Sequence, residues 1–200
     1  FSCNLIYRVF DRTSWRPTYH CITDRVFSRT VLGEIKENIH GTLFTNHELF
    51  SSLKHPPKNM VSTYTLTEDT YFVHGDLLSY YVSSRATVMS YMIELAMYMG
   101  FQEIYLIGVD CSNGFVETNG HFISGYENER MLKIERGRAK RLVKGEDKSL
   151  EALGDYRVDR AMQAYEVLRK YADGKGIRIY NATRGGHLEA FERVRLEDVL

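Results

Sequence analysis

Apolar positions fall into short blocks divided by polar and Gly/Pro breaks, and the spacing within each block predicts its element. PTYHCITD (17–24) places Tyr, Cys, Ile and Thr behind a proline and ends on Asp, the pattern of a strand with a polar carboxyl tip. NIHGTLFTN (38–46) and MVSTYTL (60–66) are similar short strand candidates, and RVFSRTVLGEIK and HELFSSLK suit short helices between them. HPPKN (55–59) breaks the pattern, because neither proline can donate to a ladder or sit inside a helix. From Thr87 to Met99 the chain is apolar on most faces and rich in helix formers, with Gly100 where a helix-ending glycine belongs. QEIYLIGV (102–109) is so uniformly apolar that it predicts a parallel strand buried on both faces.

Over 155–172, Val158, Met162, Tyr165, Leu168 and Ala172 make one stripe at helical spacing, while Asp159, Gln163, Glu166 and Lys170 face away. KGIRIYNAT (175–183) then gives a turn and another strand. Helix, strand, insertion, helix, strand is the rhythm of an α/β domain with a mainly parallel, Rossmann-like sheet flanked by helices. No internal repeat interrupts it, and the whole of 1–200 reads as a single domain, a length that buries a substantial core.

Composition changes this picture little. Apolar residues are 44% and charged residues 26% of the chain, an ordinary globular balance. Lys plus Arg equals Asp plus Glu, so no overall field favours nucleic acid. TVMSYMIELAMYMG is broken by Glu94 and falls short of the roughly 20 apolar residues a membrane span needs. Cys3, Cys21 and Cys111 are an odd number without metal-ligand spacing, which fits reduced thiols in a cytoplasmic protein. The chain opens on Phe rather than Met, as a fragment or processed product would.

Charge is uneven in one place. Residues 130–148 carry eight Lys/Arg against three acids, inside an insertion spanning 124–152. It suits a solvated helix, or a lid over a site at the neighbouring strand tips. Its charge would suit an anionic acceptor, a donor phosphate or peripheral contact with the inner-membrane surface.

In an open parallel sheet, ligands sit beyond the carboxyl ends of the strands. Those ends carry Asn4, then Thr23 and Asp24, then Asp110, Ser112 and Asn113, then Asn181, Thr183, Arg184, Gly185 and Gly186. Each tip alone is ordinary turn chemistry; together they offer the amides, hydroxyls and carboxylates that suit a nucleoside. His121 follows Asp110 closely and could serve as a general base, or equally as a backbone-bonded loop histidine. His74-Gly75-Asp76 is short of a metal site and reads as a turn. The chain has no phosphate-binding Gly-rich loop, no nucleophile elbow and no Asp-x-Asp pair to hold a metal on a diphosphate.

SRATVMSYMIELAMYMGFQEIYLIGVD, then GHF, then GIRIYNATRGGHLEAFERV, resemble the bacterial sialyltransferases of glycosyltransferase family 42. They resemble still more the related bacterial proteins with domain of unknown function 115, termed 6-hydroxymethylpterin diphosphokinase-like. The resemblance implies a glycosyltransferase A-like domain of the family 42 variety, a nucleotide-activated sugar such as a CMP-linked nonulosonate, and inversion without a metal or other cofactor. It implies that Asn4, Arg85, Thr87, Gly108, Asn181 and Thr183 hold the nucleotide, with Asp110 at the strand tip and His121 as the base; Asp24, where the sialyltransferases begin an Asn-Pro, and Ser112 join the nucleotide-binding set by their place at the strand tips alone. The acceptor would be a glycan, a lipid-linked glycan or a protein, and self-association is left open. It further implies that the family's first strand and nucleotide loop would precede Phe1. Where the sialyltransferases carry Phe-Tyr after the tip Asp, this chain has Cys111-Ser112. The alternatives are ATP-dependent diphosphate transfer to a pterin alcohol, for which Asp110, Asp24 and Asp76 are the carboxylates available, and a non-catalytic nucleotide-binding module.

Overall fold

The computed structural model describes residues 1–63, 87–112 and 129–199. Its elements are β1 (Ser2–Cys3), β2 (Tyr19–Ile22), α1 (Arg25–Asn38), β3 (Thr42–Asn46), α2 (His47–Ser51), β4 (Met60–Thr63), α3 (Val88–Tyr98), β5 (Glu103–Leu106), α4 (Glu129–Leu142), α5 (Leu150–Lys175), β6 (Arg178–Asn181) and β7 (Glu192–Arg193). All strand pairings among them are parallel, giving an α/β architecture compatible with a Rossmann-like fold. They form two sheets, ordered β1-β2-β3-β4 and β5-β6-β7.

Period-two alternation decides which helix covers which face. Leu43 and Met60 pack towards α1 with Val31, Ile35 and Ile39. Their neighbours Cys21 and Phe44 turn the other way, onto Tyr91, Met92 and Leu95 of α3. The first sheet is thus covered on both faces, as parallel sheets require. Helix α3 also serves the second sheet: Ile93 and Met97 pack with Leu106 and Ile179, beside Tyr165, Leu168 and Ala172 of α5. One helix lying across two sheets accounts for a segment apolar on most faces, and Ser90 to Met97 are all buried. Gly100 follows α3 with φ 89°, a left-handed residue just beyond the helix end as expected.

The first sheet holds His20 fully buried, with Nδ1 2.8 Å from the Ser2 hydroxyl. Burial pushes its pKa down to about 4. The unfolded chain would bind a proton near the ordinary value of about 6.5, so stability is whole above that value. It is lost as pH falls towards about 4. The loss amounts to roughly 3 kcal/mol. Urea titrations between pH 7.5 and 4 should show this slope, and His20→Gln should flatten it.

Two expectations are corrected. Strand β5 is not buried on both faces: Tyr105 and Ile107 are 38% and 58% exposed. Among the described residues β5 has a strand neighbour on one side only, β6, and its outer face carries the Tyr105–Tyr180 stack. The basic segment is not a solvated helix throughout. Met131, Glu135 and Ala139 of α4 are buried, and Met131 enters the core beneath α1.

Candidate ligand site at the carboxyl edge

Strand order progresses outward one way from β1 and the other way from β5. The reversal between them is where the carboxyl ends of an open α/β sheet leave a crevice. The two strands run in the same sense. At their amino ends the Phe1 ring meets Phe101, with centroids 5.8 Å apart. At their carboxyl ends, Met89 in the first turn of α3 packs against the clusters of both Cys3 and Cys111. Thr87 caps α3 there, its hydroxyl accepting from the Met89 N–H at 3.3 Å.

Among the described residues two non-glycine residues adopt the left-handed region, and they flank this crevice: Asn4 (φ 53°) after β1 and Cys111 (φ 51°) after β5. Asn tolerates that conformation by local hydrogen bonding; Cys has no such compensation. Strain of this kind, of order 1–3 kcal/mol, concentrates at ligand sites. The Cys111 thiol is no nucleophile at neutral pH, because burial, aided by Asp110, pushes its pKa up to about 11.

The loops after β5 and β6 are stitched together. Thr183 Oγ1 accepts from the Val109 N–H at 3.0 Å, and the Asp110 carbonyl accepts from the His187 N–H at 2.6 Å. Asn181 is fully buried; its amide donates to the Leu188 carbonyl at 2.8 Å while its oxygen accepts from the Thr183 N–H at 3.0 Å. Asn181 and Thr183 therefore brace the loop from within. Arg193 clamps the far side, donating to the Gly185 and Gly186 carbonyls at 2.9 and 3.0 Å. The Asp110 carboxylate stands exposed at the rim and turns back to accept from the Ser112 N–H at 3.3 Å. Gly108, with φ 72°, lets the chain leave β5 towards this rim.

Asp24, at the tip of β2, is committed elsewhere. One carboxylate oxygen accepts from the Phe27 N–H at 2.9 Å, capping α1. Arg138 of α4 grips both oxygens, at 2.7 and 2.5 Å, and also reaches Glu135 at 2.8 Å. Glu135 in turn meets Arg157 of α5 at 2.7 Å. Burial works to raise the Asp24 pKa, but the Arg138 hydrogen bonds and charge outweigh it and hold the carboxyl below its ordinary value.

The structure therefore gathers Asn4, Thr87, Gly108, Asp110, Ser112, Asn181 and Thr183 at one edge and ties Asp24 to α4. Arg85, His121, Asn113, His74 and Asp76 lie outside the described residues. Sequence reasoning missed Arg138 and Arg193, each one cation among many, and the fit of Gly186 against Asp110. Among the described residues no group of three or more His, Cys, Asp or Glu could hold a metal, and no helix is long and apolar enough to cross a membrane. Comparison with protein-family models, curated proteins and solved structures finds no match to the chain.

Proposed function

We propose that the carboxyl edge binds the nucleotide of an activated sugar and that the protein is a glycosyltransferase. The observation that carries the reading is the pair of left-handed residues, Asn4 and Cys111, on either side of the point where strand order reverses. The resemblance of 85–122 and 155–194 to family 42 sialyltransferases supports a CMP-linked nonulosonate as donor. In this reading Asp110 lines the pocket rim, the amino end of α3 at Thr87 faces the phosphate, and His121 takes the proton of the acceptor hydroxyl.

Calorimetry and thermal shift with CMP, UDP, GDP and ATP, each with and without Mg²⁺, test it. CMP should stabilise the fold by about 2.7 kcal/mol at a hundredfold excess over Kd. Asp110→Ala should weaken that binding at least tenfold without moving the melting point of the free protein by more than a degree or two. With CMP-linked sugars and an acceptor, nucleotide release should stop in His121→Ala. Mg²⁺-dependent ATP binding with no CMP binding would assign the edge to diphosphate transfer instead.

A further inference from the structure

The fold sorts the charges of α4 onto two sides of the helix. Met131, Glu135 and Ala139 are buried, and Arg138 turns in with them onto Asp24 and Glu135. At the helical period Arg130, Lys133, Arg136, Lys140 and Arg141 fall on the opposite side, all exposed, and exposed Lys144 follows the helix end. Glu135 is the one acid from 130 to 144, and it lies on the buried side with Arg138 and Arg157. Arg136 reaches back to Glu129 at 3.7 Å. Among the described residues the other five cations of the outer face have no ion pair. Residues 64–86 and 113–128 carry five acids and Arg85 between them, so not even their full complement would neutralise six cations.

Helix stability does not explain the pattern. The helix dipole favours cations in the last turn, which accounts for Lys140 and Arg141, but it opposes Arg130 in the first. Neighbours three and four apart repeat the same sign: Arg130 with Lys133, Lys133 with Arg136, Arg136 with Lys140. Each such pair is destabilising, and an anionic counterpart relieves it. The layout decides which counterpart fits. The cations are strung along a helix of 14 residues, about 21 Å, so no single phosphate gathers them. From 130 to 144 there is no Ser, Thr, Asn, Gln or aromatic residue, the groups that a nucleic-acid interface uses for sugars, bases and stacking. Met131 and Ala139 are buried in the protein, so α4 cannot sink into a bilayer as a free amphipathic helix does. What remains is a row of point charges, which matches a surface of anionic headgroups.

We propose that the outer face of α4 docks the protein on an anionic phospholipid bilayer, with the helix lying on the headgroups and bound by charge alone. The Arg138–Asp24 pair fixes α4 to the carboxyl end of β2, so docking holds the carboxyl edge beside the membrane surface. The proposal does not depend on what the candidate site at that edge binds.

The test is co-sedimentation of the protein with phosphatidylcholine vesicles, with and without phosphatidylglycerol as a third of the lipid. Binding should need the phosphatidylglycerol and should vanish in about 1 M salt, where the Debye length is about 3 Å. Lys133→Gln with Lys140→Gln should weaken it roughly twenty-five-fold, about fivefold per charge, without lowering the melting point. Lys54→Gln with Lys170→Gln, the same loss of charge from exposed positions outside α4, should leave binding unchanged. Equal weakening by both pairs would make net charge the cause and overturn the proposal, as would no binding to the anionic vesicles. Binding that survives the salt would show insertion by another segment and overturn it too. Tighter binding to a DNA or RNA duplex than to the vesicles, at the same salt, would assign the face to nucleic acid instead.

Discussion

Replacing Arg138 by alanine is expected to cost about 3 kcal/mol, the low end of the loss when one partner of a buried ion pair is removed. The side chain is only 14% exposed and sits between two carboxylates, of which Glu135 is 7% exposed. Without it, Glu135 keeps Arg157, but Asp24 is left with the Phe27 N–H and the charge of Arg157. Asp24 caps α1, so the damage reaches the helix start as well as the docking of α4. Arg138→Lys should recover only part of the loss, because an ammonium cannot grip both Asp24 oxygens as the guanidinium does. The acid limb of stability should change as well. Asp24 titrates below its ordinary value in the folded state, so it adds stability above the unfolded carboxylate pKa. That contribution disappears as pH falls from about 4 through the lowered folded value. In Arg138→Ala this part of the acid slope should shrink. Urea denaturation at pH 7 and at steps from pH 5 to 3 measures both effects; a variant as stable as the parent at pH 7 would show that Met131, Ala139 and the Glu135–Arg157 pair hold α4 without Arg138.

Periodicity made some of this legible. The stripe of α5 was visible because Tyr165, Leu168 and Ala172 recur at helical spacing and pack as that spacing demands. The apolar wrap of α3 was visible too, though only the sheet order explains it. The inward side of α4 was written in Met131, Glu135 and Ala139, four apart, but a run of eight cations obscured it. Nothing local distinguishes Arg138 from Arg136; the partner that decides is Asp24, 114 positions away. Strand β5 misled for a similar reason. Apolar composition shows that a strand suits burial, and it does not show whether a neighbour stands on each side. At the candidate site the tips were readable as turn residues, whereas the left-handed backbone of Cys111 had no signature in its side chain.

Gly186 offers the sharpest test of how that site is held. Its φ is 77°, and an added Cβ would stand 2.5 Å from both Cα and the carbonyl oxygen of Asp110. Those are backbone atoms, so no side-chain rotation relieves the collision. Gly185 is the natural control: its φ is 71°, yet a Cβ there meets nothing within 4 Å. Gly185→Ala should therefore show the conformational cost alone, about 1–2 kcal/mol. Gly186→Ala adds an overpacking cost and should reach roughly 3 kcal/mol or more, a fall in Tm of about 6–12 °C for a chain of this length. The collision can be relieved only by moving the 183–187 loop off Asp110. That breaks the bond from the His187 N–H to the Asp110 carbonyl and strains the Arg193 clamp on both glycine carbonyls. Gly186→Ala should consequently lose nucleotide affinity at temperatures where it is still folded, whereas Gly185→Ala should keep it. Thermal melts and calorimetry on the two variants separate the effects. Equal losses of stability in both would show that backbone conformation alone matters at this turn. Retained affinity in Gly186→Ala would remove the Asp110 rim from the ligand site.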